Sequence, residues 1–303
     1  DFETEWLTDR SIDYLRSRQN KPEPFFLFTS YLKPHSPSVE PEPYFSMYDP
    51  AKVPIPKLPD PRPLRDDDPR NEMHDEAMQR RMTALYFGAV THVDAEIGRL
   101  LAELDRLKLT DNTIVLFTAD HGNMLGDRGA WFKGVQYEGS AHVPLLWRDP
   151  RRKKSEVVHD PVDNTALTPS ILEAAGLPIP QGVQGQSLFK TPRPRYVFSQ
   201  LNQGMVVEKN WKLIDRGLTG AGPFELYDLA RDPKEQTNRA ATEPARLEAM
   251  KKALAAFRAD RPAPIQIPGL SLPDYAKITE ADRQRIGTEE VEDQVRRRTR
   301  KKE

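Results

Sequence analysis

No cysteine occurs anywhere in the 303 residues. That excludes disulfides, thiolate metal sites and any nucleophile that begins as a cysteine within this chain. Long apolar runs are also missing. Nothing approaches the roughly 20 residues that cross a bilayer as a helix, so no membrane role is expected. Charge of one sign is not in excess either. The 45 Lys and Arg against 46 Asp and Glu leave a net charge of -1, which argues against bulk attraction to nucleic acid. The chain opens on Asp1 rather than Met, with no leader or cleavage site in view. The expectation is that the true N-terminus lies further upstream.

What the chain has in quantity is proline, 28 residues, clustered over residues 34–69 and 178–194, where it marks surface loops. Between these clusters lies the stretch that organises the rest. Residues 113–118 form a continuous apolar, β-branched run, the pattern of a strand buried on both faces of a parallel sheet. The run stops at Ala119-Asp120-His121-Gly122. A carboxylate and an imidazole side by side where a strand runs out are a plausible half of a metal site. Lys133 follows inside a Gly-bounded loop, where it could meet an anion held by the metal.

Residues 25–32 read as a second buried strand, and it too ends in polar chemistry, Lys33-Pro34-His35-Ser36-Pro37. Each proline restricts the residue before it, so the pair stiffens the loop and could aim the imidazole. The competing reading of His35 is a solvent-exposed loop histidine. Residues 38–72 form a proline-punctuated excursion, a lid or a surface wrap. Asp66-Asp67-Asp68 within it reads as a solvated loop, because consecutive acids do not converge on one ion.

Apolar residues at spacings of three and four predict helices over residues 3–18 (Trp6, Leu7, Ile12, Tyr14, Leu15) and 76–107 (Met78, Met82, Leu85, Tyr86, Ala89, Val93, Ile97, Leu100, Leu101, Leu104). His92 and Asp94 lie near the second stripe and read as structural. Residues 143–148 form a short strand, and residues 163–175 a helix closed by Gly176. The texture then changes. Short strands over 195–200, 205–214 and 224–229 suggest an antiparallel meander, and residues 244–258 a closing helix. The reading is α/β, with residues 1–194 as a main layered domain, 195–258 as a small α+β subdomain and 259–303 as an extended tail. The basic run at 296–302 reads as a frayed end rather than a nucleic-acid site.

Four passages, in order, resemble the sulfatase family of the alkaline phosphatase superfamily. They are residues 24–28 with 33–37; residues 118–134 running on to 142–145; residues 163–176 with 185–188; and residues 224–229 with 232–238. The resemblance implies an alkaline-phosphatase-like sandwich with a mostly parallel central sheet flanked by helices, plus a small C-terminal subdomain with antiparallel strands. It implies hydrolysis of a sulfate monoester of a small molecule or saccharide. Asp120 and His121 match ligands of a divalent cation, usually Ca2+ in sulfatases, with Mn2+ or Mg2+ as alternatives. By donor chemistry alone, an Asp–His pair suits Mn, Fe or Zn at least as well as calcium. Lys133 matches the lysine that contacts the sulfate, and His35 the histidine that protonates the leaving group. Arg128 stands where relatives commonly have His, and no role is carried over to it.

One element of the family pattern does not occur in these residues: the Cys-x-Pro-x-Arg type motif that yields the formylglycine nucleophile. The chain therefore resembles the C-terminal portion of a sulfatase, with the nucleophile expected upstream and the chain alone expected to be inactive. The rivals are a phosphonate or phosphate ester hydrolase of the same superfamily and a non-catalytic remnant. The resemblance leans the location toward the periplasm or the cell exterior, and loops 38–72 and 177–194 are the expected specificity elements. Oligomeric state is not legible.

Overall fold

The computed structural model describes residues 2–56, 75–201, 203–217 and 222–260. The Asp66–Asp68 run and the basic tail lie outside the described residues. Two helices make the first layer. Helix α1 spans Glu3–Arg18. Helix α2 spans Glu76–Arg106 and starts on Asp75, whose carboxylate accepts the Met78 amide and so satisfies one of the donors orphaned at a helix start.

The buried face of α1 is Thr4, Thr8, Ser11, Ile12 and Leu15, whereas Trp6 and Tyr14 of the expected apolar face are exposed. Hydroxyls replace hydrocarbon there because the extended segment over residues 25–32 presents hydroxyls in return. Ser11 pairs with Thr29 and Thr8 with Tyr31, both at 2.9 Å. Apolar contact takes over further along, where Phe25, Leu27 and Val115 pack on Leu15, Leu104 and Leu107. The buried side of α2 is likewise mixed. Ala89 and Leu104 are buried as the apolar stripe requires, but Gln79, His92 and Glu96 are buried with them, and Met78 is exposed.

Strand β1, Val115–Thr118, pairs antiparallel with β2, Leu145–Arg148. The expected parallel central sheet is therefore corrected: among the described residues every ladder is antiparallel. Nor is β1 buried on both faces as expected: Val115, Leu116 and Thr118 are half-buried and Phe117 is exposed, so a continuous apolar run fixed neither full burial nor the direction of its neighbour. The loop over residues 119–144 turns the chain back and sets that direction. Residues 25–32 alternate between half-buried and exposed side chains as a strand would, yet pair with no strand among the described residues.

The C-terminal region is a meander of four strands in sequence order: β3 Val197–Gln200, β4 Gly204–Glu208, β5 Trp211–Asp215 and β6 Phe224–Asp228. The single strand expected over 205–214 is two strands, folded back at Lys209, which takes a positive φ of 52°. Helix α5, Pro244–Ala259, covers this sheet, burying Met250 and Leu254 against Val206, Leu213 and Leu226. The opposite face buries Ile214 and Tyr227 against Met124 and Tyr137 of the 119–144 loop. The meander is thus the floor on which that loop rests. A further helix, α4 Leu167–Ala174, lies within the expected 163–175 span.

Candidate active site

The loop over residues 119–144 carries Asp120, His121 and Lys133, and its backbone brings them together. It folds as a narrow hairpin: Met124 donates to the Phe132 carbonyl at 2.8 Å and Gly126 to the Ala130 carbonyl at 2.9 Å. Its tip needs left-handed backbone, supplied by Gly126 at φ 87° and, without a glycine, by Arg128 at φ 55°. Beyond Lys133 the chain enters the short helix α3, Glu138–Ala141. There the Ser140 carbonyl accepts the Gly122 amide at 2.8 Å. A Cβ at Gly122 would stand 2.3 Å from the Gly139 carbonyl oxygen. Glycine at position 122 is thus a packing requirement.

The geometry selects the working atom of His121. Its Nδ1 lies 2.9 Å from the Gly122 carbonyl, an acceptor, so Nδ1 carries the proton and Nε2 keeps its lone pair. The Lys133 ammonium donates to that Nε2 at 2.8 Å, and Asp120 Oδ2 stands 3.4 Å from it. Asp120 accepts its neighbour's amide at 2.9 Å, and its side chain is 86% exposed. Asn164 donates to the Ala119 carbonyl at 3.1 Å, tying the strand end to the turn before α4. An open carboxylate, an imidazole lone pair and an ammonium share one corner.

Asp120 and His121 fit part of a divalent-cation site: one oxygen donor and one unprotonated imidazole nitrogen, whose lone pair accepts from the Lys133 ammonium here and would have to exchange it for the cation. No third His, Asp or Glu joins them in a cluster among the described residues. A divalent cation needs about four to eight donors, so the pair provides a portion of a shell.

His35 sits apart on its own exposed loop. Its Nδ1 lies 2.8 Å from the Ser36 carbonyl, which leaves Nε2 as the outward atom, and it makes no hydrogen bond to Asp120, His121 or Lys133. Three of the four expected residues are brought together, and His35 shares no hydrogen bond with them.

Sequence reasoning missed the residues beneath the Lys133 loop. Lys212 of β5 is fully buried, with its Nζ 2.8 Å from Glu138 and 2.9 Å from Glu235. The second Glu138 oxygen meets His142 Nδ1 at 2.8 Å, and the second Glu235 oxygen accepts the Glu138 amide at 2.8 Å. Burial pushes the Glu138 carboxyl up, but the His142 bond and the Lys212 charge outweigh it and hold it down at about 2. The two carboxylates share one ammonium unequally, and at Glu235 burial prevails and its carboxyl is raised. The Glu138 bond raises His142.

Alongside, the Arg128 guanidinium lies 4.3 Å from the Tyr137 ring centroid and donates to Tyr227 and to the Glu235 carbonyl. Both phenols donate to Glu225, at 2.7 and 2.8 Å. A legible signal existed: a lysine inside the apolar strand Trp211-Lys212-Leu213-Ile214 must find buried carboxylates.

Residues 3–177 match the sulfatase family profile. The chain is 34% identical over 257 residues to an arylsulfatase of Clostridium perfringens, an alignment covering 78% of this chain and 53% of the relative. It is 30% identical over 267 residues to a choline-sulfatase of Rhizobium meliloti, covering 78% of this chain and 51% of the relative. Among solved structures, the phosphonate monoester hydrolase SpPMH from Silicibacter pomeroyi matches with a TM-score of 0.72 at 27% identity, over 85% of this chain and 60% of that one. The chain spans about half the length of the curated relatives it matches.

Proposed function

The chain belongs to the sulfatase family, and from that premise we propose that it supplies one side of the active site of a sulfuric ester hydrolase. The observation that carries this is the shared corner at the end of β1, where the Lys133 ammonium stands 2.8 Å from the free nitrogen of His121. Cation donors and an anion-binding group lie within one small volume, as a sulfate paired with a metal requires. Asp120 and His121 would hold the divalent cation, Ca2+ by family habit, with Mn2+ or Mg2+ as alternatives. When bound, that cation supplies Lewis-acid neutralisation of the sulfate oxygens.

The chain's own side chains do the rest of what falls to it. Lys133 places a positive charge against the oxygen on which negative charge grows as the S–O bond breaks. His35 is the general acid. Its Nδ1–H is held by the Ser36 carbonyl, so the proton given to the departing alcohol leaves from Nε2. The nucleophile, a formylglycine by family habit, would come from outside these residues. In this reading residues 1–194 carry the chemistry and residues 195–258 brace the Lys133 loop. The substrate is the sulfate monoester of a small molecule or saccharide.

A second reading, hydrolysis of phosphonate or phosphate esters, is favoured by the likeness to the Silicibacter pomeroyi enzyme. A panel of aryl sulfates, aryl phosphodiesters and aryl phosphonate monoesters separates the two, assayed on the protein that joins this chain to its nucleophile. Sulfate turnover is expected, falling about 100- to 1,000-fold in Lys133→Ala. Turnover of phosphonate esters without sulfate esters supports the second reading. Turnover by the 303 residues alone contradicts an external nucleophile.

A further inference from the structure

The loop that carries His35 is closed at its neck by a buried ionic clasp. Lys33 lies on one side of it and Glu40 on the other, with Lys33 Nζ 3.2 Å from Glu40 Oε1. The Glu40 side chain is 1% exposed and that of Lys33 only 13%. The same ammonium donates to the Pro37 carbonyl at 2.5 Å, inside the loop and two residues from His35. The other Glu40 oxygen meets Nδ1 of His92 on α2 at 2.8 Å.

His92 is fully buried, its ring stacked on Tyr44 at 4.5 Å between centroids. Its Nε2 is buried without a hydrogen bond, and Glu5 of α1 stands 3.8 Å away. The turn that delivers Tyr44 presses against α2 where only glycine fits, since a Cβ at Gly88 would lie 2.2 Å from the Tyr44 carbonyl oxygen.

Buried charges of this kind are held against a large desolvation cost, and well-packed hydrocarbon would serve stability as well or better. A polar anchor has another use: it fixes one geometry. We propose that Glu40 is a positioning residue for His35. Clamped between His92 and Lys33, it holds residues 33–40 in the single conformation that presents the His35 imidazole. The inference rests on the reading of His35 as the general acid, but its test does not.

The test is imidazole NMR on the full 303-residue chain, with His121 as the internal reference. In Glu40→Gln and in Lys33→Met, the His35 ring signals broaden about twofold or split into two sets, as a loop exchanging between conformers requires. The His121 signals keep their width. Lys33→Arg, which restores a cation to the neck, returns His35 to one narrow set. Unchanged His35 signals in both loss variants overturn the proposal. Equal broadening of His121 overturns it too, because that reports general loosening rather than positioning. Should Glu40→Gln fail to fold, Lys33→Met and its arginine rescue carry the same decision.

A kinetic arm separates this inference from the proposed reaction. On the active protein, His35→Ala slows aryl sulfates with poor leaving groups more than those with good ones, because only the former need the proton. Glu40→Gln reproduces that selectivity, and adds nothing further in a His35→Ala background. Selectivity in His35→Ala but not in Glu40→Gln overturns the positioning role alone. No selectivity in His35→Ala overturns the general-acid reading.

Discussion

The hairpin under Lys133 and the loop around His35 are each tied down by a carboxylate that meets a lysine through Oε1 and a histidine Nδ1 through Oε2. Under the hairpin the carboxylate is Glu138, with Lys212 and His142 at 2.8 Å each. Around His35 it is Glu40, with Lys33 at 3.2 Å and His92 at 2.8 Å. Burial of the histidine differs between them. In the first the lysine is fully buried and the histidine side chain 75% exposed. In the second the histidine side chain is 1% exposed and the lysine side chain 13%. The first clasp belongs to the meander and feels the pH of the solvent through His142. The second belongs to the helices and keeps its histidine sealed. Two loops with different chemistry are thus anchored to different parts of the fold.

Breaking each clasp at its lysine tests that contrast most severely. Lys212→Met leaves Glu138 and Glu235 buried around an uncharged chain, so urea unfolding should show a loss of about 3–5 kcal/mol. Gly122→Ala strains the same hairpin without touching its charges. The added methyl must displace the α3 backbone, at about 1–3 kcal/mol by the same measurement. Lys33→Met costs less, about 1–2 kcal/mol, since Glu40 keeps His92 as a partner. Equal losses in the two lysine variants would erase the distinction between the clasps.

The smallest effect is the pH dependence. His142 is raised above its ordinary 6.5. Its contribution is therefore complete below about pH 6.5 and is lost as pH rises through the folded value. Exposure of the side chain keeps this small. The stability gap between the wild-type chain and His142→Gln should narrow on going from pH 6 to pH 9, roughly across that range. Glu138 has the opposite sign. Its carboxyl falls from 4.5 to about 2, so its contribution is present above the upper value and is lost on acidification toward the lower one. A gap that widens with rising pH would show that Glu138 does not hold the His142 proton.

Much of this was legible in the residues. Period-three-and-four spacing located α1, α2 and α5, and the β-branched run ending in Asp120-His121 located strand β1 and the turn that brings Asp120, His121 and Lys133 together. What escaped has identifiable physical causes. The direction of β1's neighbour depends on how the 119–144 loop turns, which no local pattern records. The buried face of α1 carries Thr4, Thr8 and Ser11 because its partner segment offers hydroxyls, so an apolar count points at the wrong side. His92 reads as structural on an apolar stripe, and it is buried, but its partner Glu40 lies 52 residues away in sequence. Arg128, given no role, sits among Tyr137, Tyr227 and Glu235. Charge partners found through the fold are invisible to spacing along the chain.

On the proposed function, the corner at the end of β1 receives a divalent cation on Asp120 and His121 beside the anion-binding Lys133. The most direct measurement is a Mn2+ titration of the full chain, read by imidazole NMR. The His121 ring should broaden first among the six histidines, at Mn2+ on the order of millimolar because only part of the donor shell is present. The response should disappear in Asp120→Ala and tighten in Lys133→Met, which removes a competing cation from Nε2. Broadening that begins at another histidine, or that is indifferent to Asp120, would contradict the account.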